Sequence, residues 1–261
     1  MTPTTWQIYA IRYARHDRMA HENLIGGDPH DTSPMPIDYF VWALISDDEQ
    51  IVVDTGYDEA MAKERGREFL RSPDEGLKSI GVDPATVEDV IITHMHYDHC
   101  GNHDMFPKAR YHIQDKEMQY ATGRSMGHKF TRFPFDEEDV VQMVRRVYRN
   151  RVVFHNGDAE VRSGITIHHL GGHTMGMQIV RVNTRRGWVV LTSDASHYYA
   201  NMERGLPFPV TYNIAEVLEG YRRIYELADS RDHAIPGHDP MVMNRYPAPS
   251  PELEGWVVRL D

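Results

Sequence analysis

The sequence predicts a mixed α/β domain of layered sheets covered by helices. Short apolar runs bounded by turn residues alternate with longer stretches of helical periodicity, and several of the apolar runs end on His or Asp. Phe40 to Ile45 and Gln50 to Asp54 are apolar runs split by Ser46-Asp47-Asp48-Glu49, the pattern of a hairpin. Residues 58–71 set Ala60, Met61, Phe69 and Leu70 among charges, which predicts an amphipathic helix. Asp89-Val-Ile-Ile-Thr93 predicts a short buried strand that runs directly into a histidine cluster. Further helices are predicted over 138–149, with Met143 and Tyr148 facing the core, and over 214–229; further strands over 152–154, 165–170, 178–182 and 188–192. Residues 20–38, rich in Gly, Pro and Asp, make the one long irregular segment, and such a loop inside a compact domain is usually functional or mobile.

Composition narrows the class. A chain of 261 residues, 41% of them hydrophobic, suits one domain over 1–261 rather than two linked ones. The N-terminus shows no basic start followed by an apolar run, and no stretch approaches the roughly 18 apolar residues of a membrane span. A soluble, cytoplasmic protein with no membrane partner is the expectation. Cys100 is the single cysteine, which excludes an internal disulfide framework and a cysteine-rich zinc module, so any metal must rest on His and carboxylates. The net charge of -11 argues against a nucleic-acid partner.

Chemistry concentrates at His94-Met-His96-Tyr-Asp98-His99. On an extended chain alternate side chains share a face, so His94, His96 and Asp98 converge while His99 points elsewhere. Such a segment can feed two adjacent cations, two imidazoles to one and a carboxylate with an imidazole to the other. Imidazole nitrogen and carboxylate oxygen suit zinc, and also manganese or iron. A lone pair of His two residues apart is usually a surface feature; four potential ligands in six residues after an apolar strand is not. Leu170-Gly-Gly-His173-Thr, Val189-Val-Leu-Thr-Ser-Asp194 and Ala234-Ile-Pro-Gly-His238-Asp239 repeat the device, each an apolar run delivering one polar ligand. Singly, each reads more readily as a turn or cap. Their repetition is the argument, and Asp194, with two oxygens, is the group suited to bridging two cations.

The ordered set resembles the metallo-β-lactamase superfamily. Val53-Asp54-Thr-Gly56 resembles its early Asp-x-Gly turn, His94 to His99 its His-x-His-x-Asp-His motif, and His173, Asp194 and His238 its later ligands. Asp98 and Asp194 at their positions resemble the hydrolases more than the antibiotic-destroying branch, and the absence of Glu at 96 speaks against the diiron flavoprotein branch. Asp98-His99-Cys-Gly-Asn, Gly172-His173-Thr-Met-Gly-Met-Gln and Ser193-Asp194-Ala-Ser look most like the N-acyl homoserine lactonases and the related 4-pyridoxolactonase. Two departures stand out. His197 occupies the place of a tyrosine that in those lactonases helps hold the substrate, and Met175 the place of a frequent proline.

The resemblance implies an αββα sandwich, two mixed sheets with helices on the outer faces and the site at one edge. It implies one divalent ion, zinc by default, on His94, His96 and His173, a second on Asp98, His99 and His238, and Asp194 between them. The expected activity is opening of a small-molecule lactone, an N-acyl homoserine lactone or a small aromatic lactone, by attack of a hydroxide shared between the ions. Asp98 is expected to shuttle a proton to the leaving group, His197 or Tyr198 to hydrogen-bond the carbonyl, and Asp54 either to orient a ligand His or simply to shape the turn before Gly56. Residues 20–38, through His21, Asn23, Leu24 and Ile25, and 198–212, through Met202, Leu206, Phe208 and Pro209, are candidate pocket walls; Met202 to Phe208 equally suits packing on the sheet or on a second subunit. A homodimer is a family-level expectation. A glyoxalase II type thioesterase and a non-catalytic metal-binding relative are the competing readings, with a nuclease disfavoured by the charge.

Overall fold

A long strand that is apolar on both faces opens the structure and sets its layers. Among residues 2–261, which the computed structural model describes, the strands are β1 (Gln7–His16), β2 (Ile37–Ile45), β3 (Gln50–Val53), β4 (Glu68–Phe69), β5 (Asp89–Ile91), β6 (Arg110–Gln114), β7 (Val152–His155), β8 (Ala159–Arg162), β9 (Ile165–His169), β10 (Gln178–Thr184), β11 (Gly187–Ser193), β12 (Ala234–Pro236) and β13 (Val257–Arg259). One sheet runs β13-β1-β2-β3-β5-β6-β7, with β4 on β1; the other runs β12-β11-β10-β9-β8. Both are mixed: β3, β5, β6 and β7 pair parallel, as do β11 and β12, and the remaining pairings are antiparallel.

Two apolar clusters explain the layers. Ile8, Ala10, Trp42, Leu44 and Val53 meet Ile165, Ile167, Val180 and Leu191 between the sheets, and Val217, Tyr221 and Ile224 of the helix Ile214–Leu227 join that cluster. Tyr9, Ile11, Val41, Val52 and Val90 form the other cluster with Leu77, Tyr120 and Met143 from helices Pro73–Ser79, Asp115–Ala121 and Glu137–Tyr148. Burial of apolar surface on both sides of both sheets is the main stabilising term. The result is the αββα sandwich with helices on its outer faces. No helix of the described residues is long and apolar enough to cross a membrane.

The local differences from expectation have physical causes. The helix placed over 58–71 is only Glu59–Arg65, because Asp58 caps its start by accepting from the Met61 N–H and Gly66, at φ 66°, ends it. The chain then forms β4 and a new helix with Pro73 in its first turn. Residues 20–38 are less irregular than their composition suggests: Ala20–Asn23 is a helical turn, Met19 bridges Pro34, and Ile37 already begins β2. Tyr148, placed in the core by periodicity, is 85% exposed, whereas Met143 is buried. β1 carries no period-two signal because both of its faces are covered.

Candidate metal centre

The C-terminal ends of β5, β9, β11 and β12 lie on one rim, and each hands its following residue to the same place. β5 leads through Thr93 to His94 and His96, after which a single helical turn, Tyr97–Cys100, carries Asp98 and His99. That turn replaces the extended geometry expected of the motif, and Asp98 lies beside His99 within it. β9 leads to His173, β11 to Asp194 and β12 to His238. Close backbone approach demands glycine at two of these exits. A Cβ on Gly237 would lie 2.5 Å from the Ser193 carbonyl oxygen, and one on Gly172, at φ 85°, would lie 2.7 Å from the Val217 nitrogen.

Two buried donor groups result, His94, His96, His173, Asp194 and Asp98, His99, Asp194, His238, with the donor atoms of each within 4.8 Å of one another. Asp194 belongs to both. Its Oδ2 lies 3.3 Å from His173 Nε2 and 3.9 Å from His94 Nε2, while its Oδ1 lies 3.2 Å from His99 Nε2 and 2.9 Å from His238 Nε2. Asp98 Oδ2 closes the second group at 3.5 Å from His99 Nε2 and 3.7 Å from His238 Nε2. His94 Nε2, His99 Nε2 and Asp194 Oδ1 are buried with no aligned hydrogen-bond partner among the described residues. Buried polar atoms without partners cost free energy, and a cation in each group would satisfy them, His94 Nε2 in the first and His99 Nε2 with Asp194 Oδ1 in the second, so the residues present fit divalent metal ions. Burial holds His94, His96 and His173 below the usual imidazole range, His96 at about 3, which keeps them neutral as a metal ligand must be. For His99 and His238 burial also lowers, but the Asp194 and Asp98 carboxylates outweigh it.

A ring of hydrogen bonds fixes the imidazoles from behind. Asp54 Oδ2 accepts from His99 Nδ1 at 2.8 Å and from the Thr93 hydroxyl at 2.8 Å, and Asp54 Oδ1 accepts from the Thr93 N–H. The Thr93 hydroxyl also touches His94 Nδ1 (3.1 Å) and Ser193 Oγ (2.9 Å). His238 Nδ1 donates to the Asp38 carbonyl at 2.8 Å. Asp54 and Ser193 both sit at positive φ, 60° and 43°, and such strain at non-glycine residues is held in place by the surrounding network. The sequence does not show Glu117. Fully buried on the helix Asp115–Ala121, it accepts from the N–H groups of Met95 and Gly176 and from the Thr174 hydroxyl, clamping the loops that carry His94, His96 and His173.

A model of the metallo-beta-lactamase superfamily matches residues 37–240, which contain every residue of the two donor groups. The chain belongs to that superfamily. It is 27% identical over 222 residues to an N-acyl homoserine lactonase of a Bacillus species, covering 78% of this chain and 82% of the relative. It is 28% identical over 176 residues to the N-acyl homoserine lactonase AttM of Azorhizobium caulinodans, covering 64% and 65%. Among solved structures it resembles an N-acyl homoserine lactone hydrolase with the product N-hexanoyl-L-homoserine at its catalytic metal centre, with TM-score 0.76 and 21% identity over 95% of this chain and 98% of that one. A dizinc quorum-quenching lactonase, AidC, gives TM-score 0.67 and 15% identity over 92% and 90%.

Within this superfamily frame the remaining candidates separate. His197 reaches the site: its Nε2 lies 3.0 Å from Asp194 Oδ2, and its ring stacks on Phe208 with centroids 3.8 Å apart. Tyr198 does not. Its hydroxyl is engaged by the Asn23 amide and the Met35 and Pro36 carbonyls, away from the donor groups. Of the two candidate walls, Met202 and Phe208 are core residues, and Pro209 and Val210 line the cavity over the site. Asn23 and Leu24 are buried, Ile25 is largely exposed, and neither these nor His21 line that cavity; Glu22 does.

Proposed function

We propose that this protein opens a lactone ring with the help of two divalent metal ions, zinc by ligand type, held by the two groups that share Asp194. The observation that carries the reading is Asp194 itself, with one carboxylate oxygen turned to each group. Manganese or iron would suit the same donors. Cations bound there supply a deprotonated water near neutral pH and a Lewis acid for the ring carbonyl.

The side chains do the rest. His94, His96 and His173 present neutral nitrogens on one side, and Asp98, His99 and His238 complete the other. Asp98 also lines the cavity, so it can carry a proton to the alkoxide oxygen as the ring C–O bond breaks. His197, with Nε2 turned to Asp194 Oδ2, fixes that carboxylate; its Nδ1 has no protein partner among the described residues and accepts, rather than donates, a hydrogen bond from the substrate. Phe133, Pro134, Pro209 and Val210 line the mouth with apolar surface that limits water around the opening ring. The relatives' name, N-acyl homoserine lactonase, supports the substrate class.

Proton release on a panel of short- and long-chain N-acyl homoserine lactones, a plain γ-lactone and an aromatic fused lactone, beside a thioester control, tests this. Cleavage of lactones alone is the expected result. Thioester cleavage, or none with metal bound, would overturn the substrate class and leave the fold untouched.

A further inference from the structure

We propose that Arg18 and Arg67 recognise a carboxylate on the substrate, so that the lactone this protein opens is an anionic one; the inference rests on the lactonase reading. β4 pairs antiparallel with β1 through Ala14↔Phe69 and Arg15↔Glu68, which brings Arg67 beside His16 at the end of β1, and Arg18 follows two residues on. Arg18 and Arg67 line the same cavity, of about 270 Å³, whose floor is Asp98, Asp194 and His238. That volume is slightly below the range of about 300 to 1,000 Å³ common for ligand pockets and suits a ring with a short side group.

Neither guanidinium has a carboxylate within ion-pair distance among the described residues, unlike Arg12 with Asp38 or Arg162 with Asp89. Arg67 donates from Nε to the Tyr97 hydroxyl at 3.2 Å, and its terminal nitrogens make no hydrogen bond among the described residues. Arg18 donates from one terminal nitrogen to the Glu22 carbonyl at 2.8 Å. Glu22, the nearby acid, turns its Oε2 to the Met19 N–H instead. Both arginines are half-buried. Asp98 acts on Arg67, and Glu22 on Arg18, through space without an ion pair, which leaves donors of each guanidinium fork free to take a carboxylate in two-point geometry. His16 between them is held down to about 4, by burial first and then by the Arg67 and Arg18 charges, so it adds no charge of its own near neutral pH. Across the mouth stand Phe133, Pro134, Pro209 and Val210. The cavity therefore has residues of the two donor groups as its floor, one wall on which both arginines stand with Glu22, and one apolar wall.

The test compares N-succinyl-homoserine lactone with its terminal carboxamide on the zinc-loaded protein, and repeats the comparison by calorimetry with the corresponding non-hydrolysable lactams. A preference of about tenfold for the carboxylate, carried by KM and by lactam Kd and shrinking as salt rises, is expected from a charge-assisted pair. Arg67→Gln and Arg18→Gln should each cut the carboxylate-to-carboxamide ratio, the double variant should abolish it, and Arg67→Lys should keep part of it. Equal use of both lactones, or a ratio that survives the double variant, overturns the arginine assignment while leaving the lactonase reading intact. Arginine-dependent lactam binding with neither lactone cleaved keeps the anion site and overturns the lactonase reading.

Discussion

Asp54 Oδ2 accepts a 2.8 Å hydrogen bond from His99 Nδ1, and the two side chains are almost completely buried. The sequence leaves Asp54 open between a turn residue and a ligand-orienting one; this contact is the one the orienting role requires. By fixing which His99 nitrogen carries the proton, Asp54 leaves Nε2 free to face Asp98 and Asp194. Asp54→Asn preserves shape but loses the charge that favours this arrangement. Zinc affinity should fall about tenfold to a hundredfold, measured by competition with a chromophoric chelator, with little change in circular dichroism.

His96→Ala and Asp194→Asn should abolish hydrolysis and leave the fold largely intact. Each removes a donor at the rim rather than packing from either apolar cluster. Turnover assays on metal-loaded protein together with thermal melts check this, and retained turnover in either variant would end the two-metal mechanism.

Chelation should destabilise the wild type. Metal bound only by the folded state contributes about 2.7 kcal/mol at a free concentration one hundred times its Kd. Removing it also returns His94 Nε2, His99 Nε2 and Asp194 Oδ1 to their unpartnered state. A lower Tm in the presence of a chelator, restored by added zinc, is the expected outcome; a Tm indifferent to both would contradict metal binding at these groups.

The residues of the two donor groups were legible because local sequence carries them. Four lie in six consecutive residues, and His173, Asp194 and His238 each end an apolar run that the β-period exposes. Glu117 shows the limit: its three donors lie 22 to 59 residues away, and a lone Glu on a seven-residue helix has no local signature. Arg67 was hidden within a stretch that reads as a charged helix until Gly66 is seen to end it. For Tyr198, adjacency to His197 says nothing about direction once the chain turns into the helix Tyr199–Arg204, and its hydroxyl meets Asn23, Met35 and Pro36.

Glu117 titration gives a pH signature. Burial pushes its carboxyl from the ordinary 4.5 up to about 7, against the pull of Thr174, Met95 and Gly176. The folded state thus holds this proton at pH values where the unfolded chain has released it. Its contribution is fully present below the unfolded pKa and is lost as pH rises through about 7. The difference in stability between wild type and Glu117→Gln, from denaturant melts of metal-free protein, should change across that window. A pH-independent difference would contradict the shift. Gln also presents an amide N–H towards groups that all donate, so this variant should be destabilised by about 1 to 3 kcal/mol at neutral pH.

His197 and Tyr198 can be separated by the same pair of measurements. His197→Ala removes the 3.0 Å contact to Asp194 Oδ2 and the stack on Phe208, so turnover should fall about tenfold to a hundredfold while zinc affinity changes less. Tyr198→Phe removes a hydroxyl that serves the Asn23 amide and the Met35 and Pro36 carbonyls, so it should lower stability by about 1 kcal/mol and leave kcat within about twofold. If Tyr198→Phe instead cuts kcat at unchanged stability, the hydroxyl must leave those partners for the substrate, and the segment 198–212 would have to move when the lactone binds.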